Sequence, residues 1–256
     1  MAHRHGKAGR YGKDESTQRL QQMMGRILML AAVTFTLLGL MIGYFLGYGV
    51  SWWGVALVLV TFFAFRYAVR VLDPYIEAQA KERIKYLKGA QLEAVVAWVL
   101  EDLDDKWHVF NSIKLESQYD LDHVLIGPGG LYCISTKSNT GHYVGTPDGL
   151  LHNGQPCDFA KQAMRQAMNL KDRLSAIMGD GVPFIQPVLA LPIGYTEGNA
   201  CGGKVWLVHQ WDIVKRLAPD PPRGKQLTAP DIERTVKALE MLETRAADVY
   251  KRPAIV

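Results

Sequence analysis

Charged residues are missing from a long stretch near the start of this sequence. No Asp, Glu, Lys, Arg or His occurs from Ile27 to Phe65, a run of 39 positions. The run is too long for a signal peptide, and it argues against a chain that is soluble throughout. One helix over this run would extend roughly 58 Å, about twice the hydrocarbon thickness of a bilayer. Because Gly47–Ser51 is a natural breaker, we predict two transmembrane helices, at 27–47 and 52–71.

Cysteine is scarce, and several catalytic signatures are absent. The three cysteines, an odd number, form no CxxC motif, which argues against a disulfide framework or a zinc site and suits a reducing compartment. The sequence contains no P-loop, no GxSxG, no Cys/His cluster with metal-ligand spacing and no internal repeat. No enzyme class with one of these signatures is therefore supported.

Lysine and arginine flank the apolar run on both sides, whereas the turn between the two spans carries no charge. By the positive-inside rule, a basic flexible tail (1–26) and everything after the second span lie in the cytoplasm, which predicts a multi-pass protein of the inner (cytoplasmic) membrane. Residues 76–256 hold 21 Lys and Arg against 22 Asp and Glu. The cytoplasmic part is thus not generally basic, and nucleic-acid binding would need a local patch.

The rest of the chain shows alternating helix and strand patterns. Asp73-Pro74 predicts the start of a helical linker (74–87), and a break at Lys88-Gly89 precedes an amphipathic helix to Leu103 that carries Glu93. Thr228 and Asp231 resemble a capping box at the start of a C-terminal helix to about Ala247, within a helical extension (218–256). The other predicted elements are a strand at 107–115, a hairpin at 121–137, an irregular stretch at 138–156, a helix at 158–178, strands at 183–192 and 204–209, and a short helix at 211–217.

The hairpin is the most informative element for function. Its strands, Leu121–Gly127 and Leu131–Lys137, are joined by a Gly-Pro-Gly-Gly turn. Asp122 lies opposite Ser135 if the turn closes at Ile126 and Leu131, or opposite Lys137 if it closes at Pro128 and Leu131. Either register places Asp122, Ser135 and Lys137 on one face. A purely structural Asp–Lys pair would explain these residues, and so would a functional site.

Four features follow one another along the chain: Glu93 on a first helix, Asp122 in L-D-H-V-L-I-G-P-G-G-L, Lys137 in I-S-T-K, and a helix with Gln162 and Gln166. In the order and spacing of these features, the chain resembles the NERD (nuclease-related) domain over about 88–217. That domain is assigned to the PD-(D/E)XK nuclease superfamily, close to Mrr-like restriction endonucleases. The resemblance implies an α/β (α+β) restriction-endonuclease-like mixed sheet flanked by helices, here preceded by an α-helical transmembrane hairpin.

The resemblance also implies roles for individual residues. Asp122 and a Glu two residues before Lys137 would hold a divalent metal, usually Mg²⁺. Glu93 would assist the metal, Lys137 would position or activate the attacking water, and Gln162 would orient the site. The metal and the lysine would stabilise the phosphodiester oxyanion while water loses its proton.

Ser135 departs from this pattern, because it stands where the family has the metal-binding Glu. A neutral hydroxyl is a poor ligand for a hard cation, so Asp122 and Glu93 would hold Mg²⁺ only weakly. Glu116 or Asp120 could supply the missing carboxylate, and Asp120 shares a face with Asp122 only if the strand is regular there. Without one, Lys137 is expected to pair directly with Asp122.

Two hypotheses follow from the sequence. The first is a membrane-tethered, Mg²⁺-dependent nuclease of the PD-(D/E)XK type that acts on nucleic acid, with DNA as the expected partner. The second is a nuclease-like module without catalysis or cofactor, which binds nucleic acid or serves as a structural subunit of a membrane assembly such as a DNA-transfer or secretion machine. In both, the lipid bilayer is a partner.

Overall fold

The computed structural model describes residues 1–48, 51–115, 120–198, 200–201, 204–219 and 226–251. Two compact units are present in it. One consists of residues 12–87, and the other combines residues 1–11 with residues 88–256. The second unit holds the candidate site.

Two long helices dominate residues 12–87. Helix α1 covers Arg10–Tyr48 and helix α2 covers Trp52–Glu101. Both are long and apolar enough to cross a membrane, with 18-residue windows of mean hydropathy 2.2 and 2.0 that are 0% buried. Near their polar ends, Arg19 Nη1 donates to Gln79 Oε1 at 3.1 Å, and the Arg26 guanidinium lies 3.8 Å from the centre of the Tyr75 ring.

Helix α2 is continuous where the sequence predicted two breaks. Pro74 lies inside it, and Gly89 is also helical. Residues 74–87 are helical as predicted, but they belong to α2 rather than to a separate helix, and the predicted break at Lys88-Gly89 is wrong. A proline inside a helix costs about 3 kcal/mol and a glycine about 1 kcal/mol, and α2 accommodates both within its 50 residues.

The second unit contains a seven-stranded mixed sheet in the order β1-β2-β3-β4-β8-β11-β10. Strands β2 and β3 and strands β3 and β4 pair antiparallel, whereas β8 is parallel to both β4 and β11. Its strands are β1 (His3–His5), β2 (His108–Lys114), β3 (Asp120–Gly127), β4 (Gly130–Thr136), β8 (Ile185–Ala190), β10 (Ala200–Cys201) and β11 (Val205–Val208).

Helices cover both faces of this sheet. Leu131 and Cys133 of β4 face a core shared with α3 (Phe159–Met178) and α5 (Ala229–Lys251). Tyr132 and Ile134 face the opposite core, with the last turns of α2 and with α4 (Ile213–Leu217). This alternation follows the two-residue period of a strand. The predicted mixed α/β sheet flanked by helices is therefore confirmed.

A second, four-stranded sheet has the order β7-β6-β5-β9. Three of its strands lie within residues 141–157, almost entirely inside the segment 138–156 that the sequence predicted to be irregular. That prediction is wrong, because these glycine-containing strands pair with each other and with a strand some fifty residues later. The strands are β5 (Gly141–Thr146), β6 (Gly149–His152), β7 (Gln155–Cys157) and β9 (Gly194–Glu197).

Both ends of the chain join the fold more closely than predicted. The expected flexible tail (1–26) instead contributes β1, which pairs parallel with β2, and α1 begins at Arg10. The capping box is confirmed, with Thr228 Oγ1 2.6 Å from Asp231 Oδ2. The helix after it is more than an extension, because Leu239 and Leu242 are buried in the core beside α3.

Candidate functional site

The β3–β4 hairpin closes in the first of the two predicted registers. Ile126 pairs with Leu131, and the ladder continues to His123 and Ile134. One step further places Asp122 opposite Ser135. Lys137, two residues after Ser135, lies just beyond the end of β4.

The Asp122 carboxylate is held by groups of strand β4. Its Oδ2 accepts the Thr136 backbone N–H at 2.6 Å and the Ser135 hydroxyl at 3.4 Å. Burial raises the pKa of Asp122, while the Thr136 N–H, the Lys137 charge and the Ser135 hydroxyl act in the opposite direction. Ser135 is fully buried, and its hydroxyl donates to Asp122.

Strand β2 is distorted beside Asp122. Asn111 pairs with His123 and Ile113 pairs with Leu121, but Ser112 between them has a φ of 52°, in the left-handed region. A non-glycine residue with positive φ is uncommon and marks a local irregularity. The regular alternation of the sequence did not indicate this distortion.

Lys137 does not form the predicted ion pair with Asp122. Its Nζ donates instead to Gln162 Oε1 on α3 at 3.0 Å, and it lies 5.2 Å from the centre of the Phe159 ring. The Lys137 charge still lowers the pKa of Asp122, so the two groups interact through space. The prediction of a direct pair is wrong because α3 supplies a closer polar partner for the ammonium.

Glu93, on the last part of α2, faces the same acidic cluster. Burial, followed by the charges of Asp122 and Asp120, raises its pKa to about 8, while the Gly9 backbone N–H and Lys137 oppose the shift. At neutral pH the Glu93 carboxyl is therefore mostly protonated. The structure thus brings Glu93, Asp122, Lys137 and Gln162 into one neighbourhood, and their functional roles remain predictions.

Asp120 and Gln166 belong to the same neighbourhood. Gln166 Nε2 donates to the Asp120 carbonyl at 2.9 Å, one helical turn from the contact between Gln162 and Lys137. Burial raises the pKa of Asp120, while the Lys114 charge lowers it. Glu116, the other carboxylate considered for metal binding, lies outside the described residues.

These residues do not fit a resident magnesium ion. Among the described residues, no three His, Cys, Asp or Glu side chains are grouped so that they could hold a metal. Asp122 Oδ2 is already occupied by an N–H and a hydroxyl, and both Asp122 and Glu93 have raised pKa values. A hard cation needs several charged or strongly polar oxygens, and the site offers too few.

The fold and the site define a mixed α/β domain with acidic and basic side chains gathered beyond the open end of a β-hairpin. Residues 88–192 match the family model of the nuclease-related domain, NERD, and this segment is a nuclease-related domain. The match includes Glu93, the hairpin and all of α3, and it ends just after β8, short of the predicted limit at 217. No curated protein and no solved structure matches the chain.

Sequence reasoning missed two backbone donors of the site. Thr136 was not assigned a role, yet its N–H makes the shortest hydrogen bond to Asp122. Gly9 was placed in a flexible tail, yet its N–H bonds to Glu93. Residue type carries no signal for either contact, because any residue other than proline offers a backbone N–H.

Proposed function

We propose that this protein is a membrane-anchored nuclease-related module that binds nucleic acid at the cytoplasmic face of the inner membrane and has lost phosphodiester cleavage. The observation that carries the proposal is the Ser135 hydroxyl beside Asp122 Oδ2, at the position where the family has a metal-binding carboxylate. Without that carboxylate, the site lacks the charge that a catalytic magnesium ion needs.

The same site contains a lysine, Lys137, that we assign to phosphate binding. Lys137 is half-buried and is positioned by Gln162 rather than neutralised by a carboxylate. Lys161 and Arg165, on the turns of α3 next to Gln162, are exposed. Because Glu93 is mostly protonated at neutral pH, it adds little repulsion toward an anionic backbone. Lys137 and Arg165 would supply the local patch that a near-neutral domain needs, whereas Lys161 is paired with Asp158 at 3.0 Å.

The anchor is part of the proposal. Two apolar helices with unburied windows and an uncharged connection suit a membrane hairpin, with lysines and arginines on the cytoplasmic side. Such an anchor would hold the domain close to the bilayer and would restrict it to nucleic acid that reaches the membrane.

A binding and cleavage assay on the full chain in lipid nanodiscs tests this function. Labelled duplex and single-stranded DNA and RNA would be titrated against wild type, Lys137→Met and Ser135→Glu, with Mg²⁺, with Mn²⁺ and with chelator. We expect salt-dependent binding by wild type, weaker binding by Lys137→Met and no cleavage by wild type. Metal-dependent cleavage that Lys137→Met abolishes would show instead that the site is catalytic.

A structural role in a membrane assembly is the second candidate. Gly39, Gly43 and Gly47 recur at four-residue spacing on α1, and a Cβ added at any of them would meet nothing within 4 Å. Such an open glycine face allows another helix to approach closely. Absence of nucleic-acid binding, together with crosslinking of Gly43→Cys to a second membrane protein, would favour this role.

A further inference from the structure

The first nine residues follow a defined path along the nuclease-related domain, and we refer to them as the N-terminal strap. The Ala2 N–H donates to the Glu101 carbonyl at 3.3 Å, and the His3 N–H donates to the Trp107 carbonyl at 2.8 Å. Arg4 and Glu101 form an ion pair at 2.7 Å. The strap is thus an added edge strand of the main sheet, held by backbone hydrogen bonds.

Two glycines allow this path. Gly6 and Gly9 have φ values of +72° and +68°, and a Cβ added to them would lie 2.5 Å from the backbone oxygens of Asn111 and Ala90 respectively. Any other residue would be strained and would collide with backbone. Ala8 between them is buried, at 8% exposure. The glycines that predict flexibility in the sequence therefore fit a specific docked conformation.

The strap ends on the candidate site. The Gly9 N–H bonds to the Glu93 carboxylate, and Gly9 is itself buried against Ala90, one helical turn before Glu93. A second contact runs through Asn111, whose Nδ2 donates to the His5 carbonyl at 3.3 Å and whose Oδ1 lies 2.7 Å from His123 Nδ1. His123 is next to Asp122 in the chain, so hydrogen bonds through Asn111 connect the strap to strand β3 beside Asp122.

Three histidines lie together where the strap meets β2. The rings of His3 and His108 stack with centroids 4.8 Å apart, and His5 Nε2 lies 3.5 Å from His108 Nδ1. Burial and the two neighbouring histidines lower the pKa of His108, which Glu240 opposes. A histidine whose pKa is lowered in the docked state stabilises that state fully when the pH is above about 6.5, the usual pKa of histidine. This contribution is lost as the pH falls below that value.

One carboxylate near these histidines can offset a positive charge on His108. Glu240 Oε1 lies 3.7 Å from His5 Nδ1, and it only partly opposes the lowered pKa of His108. Glu243 lies near Gly6, and Glu101 is already paired with Arg4. A proton on His108 therefore disfavours the contact between the strap and β2.

We propose that the N-terminal strap is a built-in cover of the Glu93–Asp122 site, and that it is released when His108, which lies against His3 and His5, becomes protonated. This inference goes beyond the proposed function, and its tests need no nucleic acid. Arg10 opens α1 directly after the strap, so the cover is continuous in sequence with the membrane anchor.

Thiol labelling at position 93 tests whether the strap covers the site. The probe is Glu93→Cys in a Cys157→Ser background of the full chain in nanodiscs, since Cys133 and Cys201 are buried. We expect Gly9→Ala to speed labelling by at least about tenfold, because local opening controls access to a covered group. Gly25→Ala is the matched control, since a Cβ there meets nothing within 4 Å, and it should leave the rate unchanged. Equal rates in all three proteins would overturn the cover.

Hydrogen exchange of the β2 amides tests the histidine release. After correction for intrinsic exchange, the edge amides of wild type should lose protection as pH falls below about 6.5. His108→Gln should keep its protection over the same range, because it removes the central charge of the cluster. The proposed release is refuted if wild-type protection does not depend on pH, or if His108→Gln loses protection in parallel with wild type.

Discussion

The Nζ atom of Lys137 lies 3.0 Å from Oε1 of Gln162, a residue 25 positions later on α3. This hydrogen bond leaves the Asp122 carboxylate to the Thr136 N–H and the Ser135 hydroxyl. The acid and the lysine therefore share a face of the hairpin without neutralising each other. A lysine that is positioned but not paired remains free to meet a phosphate.

Ser135→Glu should place a second buried carboxylate beside Asp122, and the two like charges should repel each other. We expect the free energy of unfolding to fall by about 2 to 4 kcal/mol without metal. Millimolar Mg²⁺ or Mn²⁺ should recover part of this loss, because two adjacent carboxylates bind hard cations. Thermal unfolding with and without metal provides the measurement.

Ser135→Ala serves as the control for the serine substitution. It removes only a 3.4 Å hydroxyl contact and should change stability little, with no response to metal. A clear magnesium-dependent stabilisation of wild type would contradict the conclusion that the native site does not fit this ion.

Glu93→Gln should stabilise the protein near neutral pH. The pKa of Glu93 is about 8 in the folded chain, above its usual value, so the folded state binds more protons than the unfolded state between these values. Stability from this group is therefore full at low pH and is lost as pH rises toward 8. We expect Glu93→Gln to add about 1 to 3 kcal/mol at pH 7 to 8.

The pH profile of stability checks this expectation. The gain from Glu93→Gln over wild type should shrink as pH falls and should vanish below about 4.5, where Glu is mostly protonated in both states. A gain that is constant with pH would show that the effect comes from packing rather than from the ionisation of Glu93.

Gly127→Ala should destabilise the hairpin through Trp107. A Cβ at position 127 would lie 2.3 Å from the Trp107 ring, which is buried, at 4% exposure. We expect a loss of about 1 to 3 kcal/mol, as for other overpacked cores. Gly89→Ala, inside α2 with open space around its Cβ, should instead gain up to about 1 kcal/mol. Equal effects of the two substitutions in thermal unfolding would contradict this account.

Membrane topology can be measured independently of the site. The N-terminus and residues 88–256 should lie on the same, cytoplasmic side, because lysines and arginines flank the spans while the turn is uncharged. Reporter fusions after residue 11 and at the C-terminus should both report the cytoplasm, and a cysteine at Trp52 should react from the outside. Opposite locations for the two fusions would rule out a two-span hairpin.

The sequence by itself determined the elements with strong local patterns. A 39-residue uncharged run determines the apolar helices, because their composition alone sets the environment they can occupy. The two-residue period of a strand places Asp122, Ser135 and Lys137 on one face whichever way the turn closes. The capping box at Thr228 is equally local, since its partner is three residues away.

Only the tertiary structure decided which groups meet across the fold. Ser112 disrupts the alternation beside Asp122, and Gln162 rather than Asp122 receives the Lys137 ammonium. The strap is the clearest case, because a glycine is compatible with a flexible tail and also with a left-handed backbone in a docked segment. Gly9 has the left-handed backbone, and Ala90 and Glu93 lie beside it. Periodicity encodes the face on which a side chain lies, but long-range hydrogen-bond partners depend on how distant segments pack together.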